Sequence, residues 1–127
     1  LDIAEAPVEA FKARHPEVPA DHCLLGDFFA HESCYDLVLE QTFFCALDPA
    51  LRAAYVQQMS KVIKPGGLLA GLLFNCSFEA AGPPFGGSKA EYLELFSPYF
   101  EILSMETAPD SIGPRAGREL FIRLSRK

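Results

Sequence analysis

An uninterrupted apolar run, LLAGLLF at Leu68–Phe74, constrains the fold most strongly. It shows no alternation of apolar and polar residues, and a Pro-Gly-Gly turn stands immediately before it. A strand that is exposed on one face alternates, whereas a central strand of a parallel sheet is covered on both faces and is continuously apolar. The run is therefore predicted to be a central parallel strand, which implies an α/β protein.

The segment upstream of this strand is predicted to be a helix. Asp48 can cap it, and Pro49 suits the first helical position because its missing N–H has no partner there in any case. Apolar residues then recur at helical spacing along one face, at Leu51, Tyr55, Met59 and Val62. The Pro-Gly-Gly turn is expected to end this helix before the apolar strand begins.

The rest of the chain alternates between strand and helix patterns joined by short connections. A first-turn Pro7 and an apolar stripe predict one further helix, and the capping box of Ser88 and Glu91 predicts another. The stripe of the Pro7 helix consists of Val8, Phe11 and His15, and strands are predicted at Leu1–Ile3, Cys23–Leu25, Tyr35–Leu39, Phe100–Thr107 and Glu119–Ser125. Because no helix separates the last two strands, they are expected to run antiparallel beside a mainly parallel sheet.

Composition excludes several classes of partner. The chain has 127 residues, half of them apolar, and a formal charge of −6. Recognition of a nucleic-acid backbone needs clustered cations, and a membrane-spanning helix needs ~20 apolar residues in a row. We therefore expect no nucleic-acid partner and no membrane span.

The cysteine and histidine pattern argues against a metal site. No Cys-x-x-Cys pair occurs, and the three histidines supply no partnered histidine at zinc spacing. A chain with this apolar content does not need disulfides. Free thiols in a reducing, cytoplasmic setting are expected for Cys23, Cys34, Cys45 and Cys76.

Carboxylates follow three successive predicted strands. They are Asp2, Asp27 and Glu40, which is followed by Gln41. Ligands of open parallel sheets bind outside the carboxyl ends of the strands, where a carboxylate can accept hydrogen bonds from both hydroxyls of a ribose. Each residue taken singly is also a good turn or helix-cap residue, so only the joint pattern favours a nucleoside site. Phe28 adds a backbone N–H and a ring suited to adenine.

An apolar wall, Thr42–Cys45, follows the third of these strands, where a reacting group would lie. Cys45 is a weak candidate for a nucleophile because no base stands at a known spacing from it. A small buried thiol is the alternative interpretation.

Three sequence segments, taken in their order along the chain, resemble the class I S-adenosylmethionine-dependent methyltransferases. More narrowly, they resemble the thiopurine S-methyltransferase family with its halide and thiol methyltransferase branch. They are Tyr35–Phe74, GPPFGGSK from Gly82 and IGPRAGRE from Ile112. The resemblance covers essentially the whole chain. It implies a Rossmann-like α/β fold, with helices on both faces of a mainly parallel sheet and an antiparallel last strand.

The same resemblance implies roles for individual residues. Asp2 maps to the ribose-binding acid, Asp27 and Phe28 to the adenine contacts, and Gln41 to a cofactor contact where relatives often carry Tyr or Arg. On the substrate side it points to Phe44, Phe85 in the Pro84-Phe85 loop, and Arg115. S-adenosylmethionine is the implied methyl donor and S-adenosylhomocysteine the product, with no catalytic acid or base and no metal.

One part of the family pattern has no counterpart here, namely the glycine-rich first strand and the aromatic N-terminal lid. The chain begins where the family's second strand ends. We therefore expect residues 1–127 to be the C-terminal part of a single methyltransferase domain, missing the first strand and the N-terminal region. Without the strand that belongs in the middle of the sheet, this segment alone is not expected to fold to a cofactor-binding monomer.

The expected function is methyl transfer to a small soft nucleophile, a thiol, thiopurine or halide, by a cytoplasmic monomer. Such acceptors need little or no general base, which suits an apolar wall without a nearby histidine. One alternative is a nicotinamide-dinucleotide-dependent oxidoreductase in which Asp2 holds the cofactor ribose. Another is a non-catalytic binding module that retains only the fold.

Overall fold

The computed structural model describes residues 1–127, which form two compact units, Leu1–Ser33 and Cys34–Lys127. The first unit contains helix α1, Glu5–Arg14, and two 3-10 turns, Ala20–His22 and Phe28–Ala30. Two of its predicted strands meet only as an isolated parallel bridge between Asp2 and Leu25. The bridge includes hydrogen bonds from the Asp2 N–H to the Leu24 carbonyl, 3.0 Å, and from the Gly26 N–H to the Asp2 carbonyl, 2.8 Å.

Helix α1 includes Pro7 in its first turn, as predicted. Its stripe is shorter than expected. Val8 is buried and Phe11 is half-buried, but His15 lies beyond the last helical residue and is exposed. The His15 ring instead lies 4.8 Å from that of Phe11 and contacts Glu17.

The second unit is a four-stranded sheet with two helices. In chain order its elements are β1 Tyr35–Gln41, α2 Arg52–Val62, β2 Ile63–Phe74, α3 Lys89–Phe96, β3 Phe100–Thr107 and β4 Glu119–Arg126. The strand order is β1-β2-β4-β3. β1 and β2 are parallel, whereas β4 is antiparallel to both of its neighbours. The antiparallel last strand predicted from the sequence is therefore confirmed.

The start of α2 differs from the prediction. Asp48 does act as a cap, since its carboxylate accepts the Ala50 N–H at 2.8 Å, but it caps a 3-10 turn, Pro49–Leu51, and the α-helix begins only at Arg52. Leu51 therefore lies outside the helix and is 41% exposed. The other members of the stripe, Tyr55, Met59 and Val62, are buried as expected.

The Pro-Gly-Gly segment is a second difference. Strand pairing already begins at Ile63, directly after α2, so Pro65–Gly67 lies inside β2 rather than in a separate turn. The pairing jumps from Tyr35 opposite Ile63 to Leu37 opposite Leu68, and the intervening residues bulge out. Gly66 adopts a φ of 78° there, a conformation that glycine accepts without steric cost.

One face of the sheet forms the core of the second unit. Leu69 and Leu73 of β2 pair with Leu124 and Leu120 of β4, and all four are buried. Helices α2 and α3 contact each other as well as β2 and β3, respectively, so both cover this face. No helix of the structure has the length and apolar character that crossing a membrane requires.

The opposite face carries apolar side chains that remain accessible. Leu37 and Leu39 of β1 and Phe121 of β4 are exposed, Leu39 to 77%. β1 is also an edge strand, because it pairs only with β2. The second unit therefore has an exposed apolar face and an unpaired strand edge at β1.

Candidate functional site

Asp2 and Asp27 lie near each other in the first unit. The parallel bridge between Asp2 and Leu25 aligns the two chain segments, so the residues that follow each segment emerge at the same end. Both carboxylates are exposed, and one oxygen of each is used locally: Asp2 accepts the Ala4 N–H at 2.8 Å and Asp27 the Phe29 N–H at 2.9 Å. Each is thus a turn residue with one carboxylate oxygen engaged in its own turn.

Phe28 follows directly in the 3-10 turn that Asp27 caps. Its ring is half-buried and meets Phe29 edge to face, with 5.3 Å between the centroids. The predicted adenine-contacting pair is therefore held in one short, capped turn.

Glu40 has a different role from the other two strand-end carboxylates. It is buried, and one oxygen accepts the backbone N–H groups of Phe43 and Phe44 at 3.0 and 2.9 Å, while the other accepts the Tyr55 phenol at 2.6 Å. This carboxylate holds the turn after β1 and is not presented to a ligand. The expectation that three strand-end carboxylates act together is wrong for Glu40.

The chain turns sharply after Gln41, the exposed last residue of β1. Thr42 adopts a φ of 62°, which is strained for a β-branched residue, and the hydrogen bonds to Glu40 hold the segment that follows. Phe44 then points into the core of the second unit. Its ring meets those of Tyr55 and Tyr92 edge to face at 5.0 and 5.6 Å.

The glycine- and proline-rich loop, residues 82–87, is fastened at three points. The Phe85 N–H donates to the Cys45 carbonyl at 2.7 Å, and the Gly87 N–H donates to the Cys76 carbonyl at 2.9 Å. The third point is the Gly86 carbonyl, which accepts from Arg52 at 2.6 Å. Any side chain at Gly86 would collide with the Cys76 carbonyl, so the close approach requires glycine. The half-buried Phe85 is thereby fixed beside the Phe44–Cys45 turn.

Arg52 is the buried cation behind this loop. Besides Gly86 it binds the Glu91 carboxylate at 2.5 Å, and its guanidinium lies 5.0 Å from the centre of the Phe44 ring. Its Nε is buried without a hydrogen-bond partner. Arg52 therefore links the turn after β1 to the loop before α3.

Arg115 lies at the carboxyl end of β2. Its guanidinium is 5.3 Å from the centre of the Phe74 ring, the last side chain of that strand, and it donates to the Glu119 carboxylate at 3.2 Å. The second Glu119 oxygen accepts the Ser111 hydroxyl at 2.8 Å. Glu119 is buried, whereas the Arg115 side chain is 30% exposed.

The electrostatics around Cys45 argue against a thiolate. Burial is the main cause that raises the pKa of its thiol, the Glu40 carboxylate raises it further, and Arg115 partly opposes both. A raised thiol pKa keeps the sulfur protonated near neutral pH, which makes it a poor nucleophile. Cys45 therefore acts through packing and through its carbonyl group.

The structure places the predicted residues in two groups. Asp2, Asp27 and Phe28 form one group within the first unit, while the turn after β1, the Phe85 loop and Arg115 form another within the second. Arg52 and Glu119 were missed by the sequence analysis. For Glu119 a signal existed, since it stands four residues after Arg115 at the start of a predicted strand. The Arg52 contacts span more than thirty residues and left no local pattern.

Comparison with known proteins gives a family match across nearly all of the chain. The family model described as Thiopurine S-methyltransferase (TPMT) matches residues 2–123. The chain is 36% identical over 125 residues to a probable thiol methyltransferase 2 of Arabidopsis thaliana and 30% identical over 125 residues to thiocyanate methyltransferase 1 of Brassica oleracea. Each alignment covers 94% of this chain and 55% of the relative, so the chain spans about half the length of these relatives.

Solved structures agree on the fold. An S-adenosylmethionine-dependent methyltransferase of Methanosarcina mazei aligns over 99% of this chain and 79% of its own, with a TM-score of 0.76 and 16% identity. At that identity the likeness supports the Rossmann-like methyltransferase fold, with its mixed sheet and helices. Fold and family match together show that the chain belongs to the thiopurine S-methyltransferase family.

Proposed function

We propose that the protein transfers the methyl group of S-adenosylmethionine to a small soft nucleophile, a thiol, a thiopurine or a halide. One observation carries the acceptor side of this proposal. The turn after β1, the Phe85 loop and the Arg115 guanidinium meet at the carboxyl end of the parallel pair β1 and β2, joined by the Phe85–Cys45 hydrogen bond. Ligands of open parallel sheets bind at this end.

For the methyl donor we propose contacts from Asp2, Asp27, Phe28 and Gln41. The fit rests on the two exposed carboxylates, each of which keeps one oxygen after capping its own turn. An oxygen of Asp2 suits the ribose hydroxyls as acceptor, and that of Asp27 suits an exocyclic amine. Phe28 supplies an aromatic ring for the adenine.

On the acceptor side we propose Phe44, Phe85 and Arg115. The half-buried Phe85 contributes apolar surface that excludes water from the reacting atoms, the buried Phe44 supports the adjacent turn from within the core, and Arg115 contributes the positive charge. When bound, the cofactor supplies a methyl carbon on a sulfonium, from which the departing thioether sulfur takes the bonding electrons. The residues on this side then need only to orient an acceptor electron pair, with no proton to remove from a halide or thiolate.

The buried carboxylates fit this chemistry because neither is free to act as a general base. Glu40 is held by two backbone N–H groups and a phenol, and Glu119 by a hydroxyl and a guanidinium. A hydroxyl acceptor would require proton removal, so we expect acceptors that are already anionic or readily ionised.

The direct test uses the full-length protein with methyl-labelled cofactor and a panel of thiols, thiopurines, thiocyanate, iodide and bromide. We expect label on at least one of these acceptors. A protein that binds S-adenosylhomocysteine in a thermal-shift assay yet labels none of them would instead be the non-catalytic module. A shift with NAD and not with S-adenosylhomocysteine would favour the oxidoreductase, which the family match does not support.

We further propose that residues 1–127 form the C-terminal part of a single methyltransferase domain. Supporting this are the exposed leucines of β1 and its unpaired outer edge, both of which would be costly in a finished sheet. The isolated segment is then expected not to bind S-adenosylmethionine. Cooperative unfolding together with micromolar binding by the segment alone would contradict this.

We also propose that the protein is a cytoplasmic monomer that acts on small molecules. The net charge of −6 disfavours a nucleic-acid or anionic membrane partner, and all four cysteines are free thiols. Light scattering of the full-length protein measures its mass directly, and a dimer would contradict the proposed monomer.

A further inference from the structure

The connection between β3 and β4 carries a small polar cluster, which we call the Glu119 cluster: Ser111, Arg115 and Glu119. Arg115 ends a 3-10 turn, Gly113–Arg115, and Glu119 opens β4. The Glu119 carboxylate accepts from the Ser111 hydroxyl at one oxygen, 2.8 Å, and from Arg115 Nη1 at the other, 3.2 Å. Both oxygens therefore have a donor.

The two charged members differ in accessibility. Glu119 is 4% exposed and is fixed in the sheet, where it pairs with Phe74, while the Arg115 side chain is 30% exposed. A buried carboxylate at a strand position cannot move far. An arginine on a surface turn is otherwise free to sample many rotamers, which costs ~2 kcal/mol to suppress.

The contact with Glu119 uses only one edge of the guanidinium. The central carbon of the guanidinium lies over the Phe74 ring, 5.3 Å from its centre, at the carboxyl end of β2. The contact to Glu119 is made through Nη1 alone, so further N–H donors remain for a second partner. The positive charge of Arg115 acts to lower the pKa of the Cys45 thiol, which opposes the rise caused by the neighbouring carboxylates.

We propose that Glu119 is a positioning residue that holds the Arg115 guanidinium against Phe74, so that its remaining donors bind a negatively charged methyl acceptor. This inference rests on the proposed methyl transfer and adds to it the residue that orients Arg115. Glu119 itself does not touch the acceptor. It acts by removing the rotational freedom of Arg115 before the acceptor arrives.

The first test compares Glu119→Gln with wild type in the full-length protein. Gln keeps the size and one acceptor but removes the charge that attracts Arg115. We expect KM for an anionic acceptor such as iodide to rise about tenfold, with kcat and KM for S-adenosylmethionine within about twofold of wild type. Glu106→Gln is the matched control, because Glu106 lies on β3 of the same sheet and forms an exposed ion pair with Lys89 of α3. It should change none of these three constants.

A purely structural role for Glu119 would not predict the second result. Arg115→Ala should lose acceptor affinity and regain it when millimolar guanidinium is added, because the carboxylate can hold the small cation in place of the side chain. Arg115→Ala combined with Glu119→Gln should show no such rescue. Equal rescue in both variants would overturn the inference. If Glu119→Gln fails to fold, Glu119→Asp provides the comparison, because its shorter side chain keeps the negative charge but moves it away from Arg115. Guanidinium should then rescue Arg115→Ala combined with Glu119→Asp less than it rescues Arg115→Ala alone.

A third measurement is independent of methyl transfer. The Nη1–H resonances of Arg115 should be resolved and slow to exchange in wild type, because Nη1 donates to Glu119, and averaged with solvent in Glu119→Gln. If wild type labels no acceptor, the proposed function fails, and an unchanged resonance would then overturn the positioning role as well. If wild type is active while Glu119→Gln matches it in kinetics and in the Arg115 resonance, the inference alone fails.

Discussion

The carboxylate of Glu40, at the end of β1, accepts a 2.6 Å hydrogen bond from the phenol of Tyr55 on α2, and both side chains are buried. This bond ties the strand end to the helix that covers it. The other Glu40 oxygen holds the turn that carries Phe44 and Cys45. The placement of that turn therefore depends on a buried ionic residue whose partners are all internal.

Removal of the phenol should destabilise the protein. In Tyr55→Phe the buried Glu40 oxygen loses its donor, and we expect the free energy of unfolding to fall by about 1–3 kcal/mol. Urea denaturation of the full-length protein measures this. The control is Tyr99→Phe, whose ring is exposed and which should change stability by less than about 0.5 kcal/mol. Equal stability of the two variants would contradict the role given to the bond.

Stability should also fall at alkaline pH. Burial is the main cause that raises the pKa of Tyr55 well above its usual 10, and the Glu40 charge adds to it; burial likewise raises the pKa of Tyr92 to about 12. The folded state thus holds these protons more tightly than the unfolded chain. Their stabilisation is complete below pH 10 and is lost as the pH rises toward the folded values. Urea titrations from about pH 8 to about pH 11 should show the decline, and Tyr55→Phe should flatten it.

A methyl group at Gly71 should disrupt the pairing of β1 with β2. A Cβ there would collide with the backbone and side chain of Glu40 on the neighbouring strand. We expect Gly71→Ala to lower the free energy of unfolding by about 1–3 kcal/mol or more, because backbone atoms must shift. Gly113→Ala is the control, since its added Cβ meets no atom within 4 Å. A Gly71→Ala protein as stable as this control would contradict the register described for β1 and β2.

Arg52 should be required for order in the loop of residues 82–87. Arg52→Met removes the donor to the Gly86 carbonyl and the partner of Glu91, at a cost of about 2 kcal/mol. Hydrogen exchange should show faster exchange of the Phe85 and Gly87 amides in this variant. Arg123→Met, at an exposed position of β4, should leave both amides protected. Unchanged protection in Arg52→Met would contradict the fastening role of Arg52.

The cysteines should differ in reactivity. Cys34 is exposed, whereas burial and the Glu40 charge raise the pKa of the Cys45 thiol. At neutral pH, iodoacetamide should therefore alkylate Cys34 well before Cys45, as peptide mass spectrometry can show. Preferential alkylation of Cys45 would revive it as a nucleophile and contradict the electrostatics described above.

Much of the fold could be predicted from local patterns. The apolar run Leu68–Phe74, the buried stripe of α2 and the antiparallel last strand all follow from periodicity and connection length, which depend on neighbouring residues only. The boundaries were less predictable. Leu51 lies in a 3-10 turn and Pro65–Gly67 in a bulge of β2, because pairing with β1 and the geometry of the helix start outweighed local preference.

The candidate site, too, could be predicted from the sequence only in part. Asp2, Asp27 and Phe28 were identified at predicted strand ends, whereas the family resemblance pointed to Gln41, Phe44, Phe85 and Arg115. The roles of all seven stay predictions. Glu40 was wrongly grouped with the ligand carboxylates, since its three internal donors come from a later turn and a later helix. No local pattern distinguishes a strand-end carboxylate that faces a ligand from one that faces the core.

By itself the sequence determined the family, the α/β class and the order of the elements, because periodicity, caps and motifs are properties of contiguous residues. Tertiary structure alone decided which charged groups are buried and which partners they contact. Three such contacts form only when folding or the geometry of a turn brings their residues together. They are Glu40 with Tyr55, Arg52 with Gly86, and Glu119 with Arg115. The free energy of a buried charge depends on its partners and its exclusion from water, and these are set only when the chain has folded.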